Sequence, residues 1–247
     1  GFKGIRISTR PDAVDGEICD ILEKYHVTAV ELGAQSTNDK VLAMNRRGHT
    51  REDIFRSARL LKERGFELGL QMMTGLYGSN DEDSIGTARD IISLSPDTAR
   101  IYPTVVIENT ELAELYRNGE YRPQTPEEAA VLCAKILPMF ERAGIKVIRL
   151  GLHSGGDVEG SFVAGAYHPA LREMCEGHIY FDIINRALSG KEKGKYIIYV
   201  APREVSKASG QRRCNIEKLR ELGYECRIKE NAALSARDIT LEKVNLL

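Results

Sequence analysis

Five short stretches of this 247-residue chain end in residues able to hold a polar ligand. They are Ser8-Thr9-Arg10, the run from Glu31 to Gln35-Ser36, Gln71 with Thr74-Gly75 behind it, Arg100-Ile101-Tyr102-Pro103, and Arg149-Leu150-Gly151-Leu152-His153. Hydroxyls and amides bond a ligand without charge, and small residues let it approach the backbone. The chemistry these types suit is the positioning of a polar cofactor or substrate. No lysine, nucleophile–base pair or metal-ligand set stands out among them, which argues against an unrelated hydrolase or aldolase. HExxH, CxxC, the Walker phosphate loop and a GxGxxG behind a strand are all absent, so zinc, nucleotide and dinucleotide readings lack their signatures.

The elements that position these residues alternate regularly. Residues 4–8, 27–32, 67–73, 98–102 and 145–150 each read as a short strand, 27–32 being apolar and rich in β-branched side chains. Between them lie helical patterns. Residues 13–25 place Ile18, Ile21, Leu22 and Tyr25 at helical spacing. Thr50 with Asp53 looks like a cap, the helix behind it carries Ile54, Ala58 and Leu61 on one face, and Gly65 ends it. A helix from about Asp81 to Leu94 stops before Pro96. Thr125-Pro126-Glu127-Glu128 caps a helix whose Leu132, Ile136 and Phe140 face inward. Strands alternating with such helices give parallel β/α units, as a barrel or an open doubly wound sheet. In both, ligands sit at the carboxyl ends of the strands, where the five polar stretches lie.

A first domain therefore covers residues 1–151, and an extension covers 152–247. Residues 152–166 read as a Gly-rich loop, and a helix runs from about Pro169 to Leu188. A small α/β unit follows as strand 196–200, helix 216–222 and strand 224–228, with the last ~15 residues weakly structured, as chain ends often are. Arg203, Lys207, Arg212 and Arg213 cluster near Gly210; a phosphate-binding patch and a solvated charged face both fit them, and the neutral total favours the second.

Composition bounds the remaining classes. With 42% hydrophobic residues and a formal charge of −1, the chain can build a core and has no global pull toward nucleic acid. No run approaches the ~18–20 apolar residues of a membrane span, and no signal segment opens the chain. Five scattered cysteines (Cys19, Cys133, Cys175, Cys214 and Cys226) argue for a reducing, cytoplasmic setting, with Cys19 and Cys133 as core fillers. The start at Gly1, straight into a strand, is expected to lie inside a longer protein.

Several segments resemble one family in the same order. They are Ile-Ser-Thr-Arg-Pro-Asp (7–12), Val-Glu-Leu-Gly-Ala-Gln-Ser (30–36), Asn-Arg-Arg-Gly-His-Thr (45–50), Met-Thr-Gly-Leu-Tyr-Gly (73–78), Arg-Ile-Tyr-Pro (100–103) and Val-Ala-Gly-Ala-Tyr-His-Pro (163–169). Over roughly residues 3–228 the chain resembles radical S-adenosylmethionine (SAM) enzymes, in particular the branch of oxygen-independent coproporphyrinogen oxidases and the Elongator catalytic subunit. The resemblance implies the later strands of a partial (β/α) TIM-type barrel with a small C-terminal α/β extension. It implies SAM and a 4Fe-4S cluster as cofactors, 5′-deoxyadenosyl radical chemistry, an electron donor of the flavodoxin or ferredoxin type, and RNA or a tetrapyrrole as substrate.

Residue by residue, the resemblance places Ser8 against SAM, Gln35 near its ribose, Arg46 on its carboxylate and Val105 along the adenine. Arg47 beside Arg46 leaves the register between the two open. Gln71 stands where the coproporphyrinogen-oxidase relatives carry an acidic residue for the ribose. Arg10, Tyr102 and His153 are the substrate-side candidates. The CxxxCxxC loop of the cluster is absent, and the nearest pair of cysteines, Cys214 and Cys226, is twelve apart. No metal ligand is therefore expected in this chain, which alone is expected to be inactive. The other reading is a barrel without a cluster that binds a small ligand or a partner. The gene separates the two: a CxxxCxxC encoded within ~100 residues upstream, room for three β/α units, is the expected finding, and a gene that starts near Gly1 would favour the ligand-binding reading.

Overall fold

Runs of branched apolar residues become strands where a helix can cover one of their faces. The computed structural model describes residues 4–152 and 160–244. The chain packs as two units, residues 1–169 and 170–247. The sequence places the break earlier, at 151/152. Strand pairing keeps residues 162–165 with the first unit, as described below.

The first unit is built on β1 (Ile5–Thr9), β2 (Val27–Gln35), β3 (Glu67–Thr74), β4 (Thr98–Pro103), a short β5 (Val105–Ile107) and β6 (Lys146–Leu150). Five of these form one all-parallel sheet in the order β1-β2-β3-β4-β6. The order never reverses, so the winding is that of a partial barrel and not of a doubly wound sheet. Right-handed crossovers then place every connecting helix on the same face. These helices are α1 (Gly16–Lys24), α2 (Asp39–Met44), α3 (Arg51–Glu63), α4 (Asp81–Ser93), α5 (Glu111–Arg117) and α6 (Pro126–Arg142).

Alternation along β3 separates the two faces. Leu68, Leu70 and Met72 are fully buried under the helices, whereas Gly69, Gln71 and Met73 occupy the other, inner face. From the helix side Ile54, Ala58 and Leu61 of α3 and Ile136 and Phe140 of α6 are completely buried. Capping boxes form at Thr50 with Asp53 and at Thr125 with Glu128, as the sequence suggests, and a third forms at Asn80 with Asp83. Helix α1 differs from its sequence pattern. It buries Cys19 and Leu22 but leaves Ile21 and Tyr25 exposed, because a 3₁₀ turn at Pro11–Ala13 and the Asp15 cap delay its start and set its face.

The stretch read as a Gly-rich loop holds a further strand, β7 (Phe162–Gly165), antiparallel to β5. The pair is short, and its partners lie more than fifty residues apart, so no local pattern announces it. Tyr121 and Ala113 pack on Val106 beneath this ribbon.

The second unit contains α7 (Leu171–Leu188), β8 (Gly194–Val200), α8 (Val205–Ser209), α9 (Cys214–Glu221), β9 (Tyr224–Glu230) and β10 (Ile239–Lys243). Its sheet runs β10-β8-β9, with β9 parallel and β10 antiparallel to β8. The chain end is thus not weakly structured throughout: residues 239–243 form an edge strand, and Ile239 and Leu241 pack on the buried Ile198, Val200 and Tyr180. No helix among the described residues is long and apolar enough to cross a membrane.

Cys19, Cys133, Cys175 and Cys226 are buried, and Cys214 is half-exposed. Burial pushes the Cys133 thiol up to about 12 and that of Cys226 up to about 11, so neither is a thiolate near neutral pH. In the native protein a maleimide is therefore expected to label Cys214 alone, and the other four only after unfolding. Rapid native labelling of Cys133, read by mass spectrometry, would contradict this packing.

Candidate functional site

The inner face of the parallel sheet carries polar side chains in register across the strands. Ser8 pairs in register with Glu31, Glu31 with Gly69 and Gly69 with Thr98. One layer further along, Gly33 pairs with Gln71, Gln71 with Arg100 and Arg100 with Arg149. Neighbours in register point to the same side, so these groups form one wall.

Glu31 is 3% exposed and meets Arg100 Nε at 2.8 Å, across the intervening strand β3. Gly69 makes that reach possible. A Cβ there would stand 3.2 Å from Thr98 Oγ1 and 3.3 Å from Glu31 Cγ. Arg100 also donates through Nη1 to the Tyr102 hydroxyl at 3.3 Å.

At the end of β2 the buried Gln35 sits in the left-handed region, φ +64°. Such backbone is uncommon for a side chain larger than glycine and clusters at binding sites. Gln71 Nε2 donates to Gln35 Oε1 at 3.0 Å. The outer atoms of the pair, Gln35 Nε2 and Gln71 Oε1, have no hydrogen-bond partner among the described residues. Whichever way the two amides are turned, their mutual bond uses one donor and one acceptor and leaves a donor and an acceptor free. Gly33 clears the space, since a Cβ there would lie 2.6 Å from Gln35 Nε2.

A cavity of about 220 Å³ opens beside this wall. Its lining includes Arg46, Arg47, Met73, Tyr77, Thr104 and Val105. Asn45 holds its rim by donating to Val41 O and Tyr77 O, both at 2.8 Å. His49 Nε2 donates to Ala34 O at 3.0 Å and ties the start of α3 to β2.

The two arginines differ. Arg46, at φ +49°, is exposed and ion-paired with Glu111 at 2.8 Å. Arg47 is half-buried and has no ion pair among the described residues. Its burial, and then the like charge of Arg10, hold its guanidinium below the ordinary arginine value. Arg10 bonds Asp12 through Nε at 3.0 Å and Nη2 at 2.6 Å and lies against Gly48, where a Cβ would come within 2.6 Å of it.

The structure thus brings Arg46 and Val105 into one cavity and joins Gln35 to Gln71. Ser8 stands two strands from Gln71 on the inner wall, exposed, and Tyr102 neighbours Met73 in register. Arg10 sits beside the Arg47–Gly48 turn. His153 lies outside the described residues. Gly33 and Gly69 line the wall although the sequence alone assigns them no role, and Arg47, which the sequence leaves as the alternative to Arg46, lines the cavity. The parity of each strand is the signal that finds the glycines, because Gly33 and Gly69 share the inner face with Glu31 and Gln71.

Two family models match successive stretches of the chain, the radical SAM superfamily over residues 1–91 and the radical SAM C-terminal domain over residues 96–180. The tRNA uridine(34) acetyltransferase of Methanocaldococcus jannaschii is 36% identical over 142 residues, which are 55% of this chain and 26% of that protein. Elongator complex protein 3 of Homo sapiens is 34% identical over 146 residues, 55% of this chain and 25% of that protein. The solved structure of Methanocaldococcus infernus Elp3 with an N-terminal deletion superposes with a TM-score of 0.61 at 27% identity, covering 72% of this chain and 46% of that one. The chain therefore matches about a quarter of the length of these curated relatives.

Removing Glu31 while Arg100 remains strands a half-buried guanidinium. Glu31→Ala is expected to lower stability by about 1–3 kcal/mol, and Glu31→Ala with Arg100→Ala by less than the two single changes together. Denaturant unfolding of the four proteins measures the coupling, and strict additivity would show that the pair does not hold the wall.

Proposed function

This chain belongs to the radical SAM superfamily, and from that premise we propose that its first unit is the SAM-holding part of a radical enzyme that modifies RNA. The superfamily uses SAM and a 4Fe-4S cluster, and the chemistry SAM supplies there is hydrogen abstraction by the radical released on its one-electron cleavage.

One observation carries the reading: the Gln35–Gln71 pair, which offers a free donor and a free acceptor side by side, Gln35 buried and Gln71 half-buried. That is the complement of a ribose diol, in which each hydroxyl both donates and accepts. Arg47 supports it. A desolvated guanidinium with another cation beside it and no anion suits a carboxylate, and the planar fork binds one in bidentate fashion. Arg46 already has Glu111, so we assign the methionyl carboxylate to Arg47, with Arg46 at the rim. Met73 and Val105 line the adenine side, and Ser8 extends the polar wall toward the same ligand. Arg10 and Tyr102 stay as substrate-side candidates.

The cluster is different. Among the described residues no three His, Cys, Asp or Glu side chains stand together as a metal site, and the sequence holds no CxxxCxxC. The residues of this chain do not fit the cluster, so its ligands are assigned to a segment outside residues 1–247. The job of this chain is to bind, orient and shield. An electron donor of the flavodoxin or ferredoxin type completes the proposal.

RNA is favoured over a tetrapyrrole for two reasons. Relatives at 34–36% identity include the tRNA uridine(34) acetyltransferase and Elongator proteins. The second unit is basic as well, with 15 lysines and arginines against 11 acidic residues, while the first has 20 against 25. In the second unit Arg203, Arg212 and Arg213 are exposed, whereas Lys207 is ion-paired with Glu204 at 2.7 Å.

The test is SAM affinity in the full-length protein, reconstituted without oxygen. Gln35→Ala and Arg47→Ala are each expected to weaken binding at least tenfold, about 1.4 kcal/mol, and Arg46→Ala less than threefold. Full-length protein that gains a cluster but does not bind SAM would end the proposal. A larger loss for Arg46→Ala than for Arg47→Ala would move the carboxylate to Arg46.

A further inference from the structure

We infer that Arg149 and Arg100 form an oxyanion subsite on the inner wall, which takes a carboxylate or phosphate group of the molecule the enzyme acts on. The inference rests on the reading of that wall as the reaction cavity.

The two arginines are register partners on the parallel strands β4 and β6, so their side chains project from the same face. Between them they meet one carboxylate. Glu31, almost wholly buried, lies 2.8 Å from Arg100 Nε and neutralises that guanidinium. Arg149 receives no such partner. Its Nη2 is buried and has no hydrogen bond, and no ion pair reaches its side chain among the described residues. A buried charged donor without an acceptor is costly and calls for one. The nearest register neighbour carries the same sign, and the next, Gln71, is neutral.

Two arginines paired in register, with a single counter-charge between them, leave one positive charge unmatched on this wall. Planar forks match the spaced oxygens of carboxylate or phosphate, which a lysine pair would not orient. The methionyl carboxylate of SAM is not the ligand meant here. Arg47 follows β2, and β6 lies three strands away, roughly 14 Å at the usual strand spacing. One molecule anchored at Arg149 would extend across Met73 and Tyr102 toward the cavity beside Arg47.

The experiment uses the full protein with labelled arginine and follows the guanidinium NMR signals while inorganic phosphate or acetate is added at constant ionic strength. The Arg149 and Arg100 signals are expected to move and saturate. Arg149→Gln should weaken that response at least tenfold, and Arg149→Lys should restore part of it. Arg89→Gln, on the exposed side of α4, should leave it unchanged. A preference for phosphate would identify a nucleotide or RNA phosphate as the group bound, and a preference for acetate a carboxylate. No saturable shift with either anion would overturn the inference, as would an equal response in Arg149→Gln. Should Arg149→Gln fail to fold, the wild-type titration still decides. SAM affinity in the same samples keeps the two readings apart: SAM binding without anion binding faults this subsite, and anion binding without SAM binding faults the cofactor reading.

Discussion

A carboxylate buried to 3% exposure must meet a positive charge, and the inner wall of this sheet is organised by that demand. Glu31 on β2 finds Arg100 on β4 by reaching over Gly69 on β3. Any side chain at position 69 would crowd Thr98, Glu31 and Arg6 together. The ion pair therefore fixes three consecutive strands at one level. A closed, apolar barrel interior would need no such pair. Here the helices cover one face, and the other is left to polar groups that must satisfy one another or a ligand.

The unsatisfied groups on that wall are few and of definite type. The Gln35–Gln71 pair keeps a donor and an acceptor, and Arg149 keeps a charged donor. Arg47, at the edge of the neighbouring cavity, keeps a positive charge that burial disfavours. The backbone at Gln35 and Arg46 is left-handed, a conformation that costs energy and that the surrounding structure must hold in place. Asn45 and His49 do that holding, through hydrogen bonds to Val41, Tyr77 and Ala34. Strain and unpaired polar groups thus coincide at one end of the sheet, where strand ends meet the loops.

Much of this was legible in the chain. The five parallel strands are dense in branched residues and stand between well-capped helices, so local patterns alone place them to within a few residues. The polar strand ends were equally visible, because a strand that ends in Arg-Ile-Tyr or Gly-Ala-Gln leaves no apolar plug. The ribbon of β5 and β7 and the edge strand β10 were not legible, since three to five residues acquire strand character only from distant partners. The exposure of Ile21 and Tyr25 depends on where α1 begins, which the Asp15 cap decides. The choice between Arg46 and Arg47 could not be read from two adjacent identical residues. In the structure the left-handed turn at Arg46 sends one guanidinium toward Glu111 and half-buries the next, which is why we propose Arg47 for the carboxylate. The boundary at 169/170 followed strand pairing and not composition.

The central claim is that the amides of Gln35 and Gln71 and the guanidinium of Arg47 contact one bound SAM molecule. Side-chain NMR of the full protein, with glutamine and arginine labelled and SAM added under anaerobic conditions, tests it directly. The account predicts that these three groups shift together along a single saturation curve, while Gln211 in the second unit stays still. Saturable SAM binding that leaves Gln35 and Gln71 unmoved would contradict it.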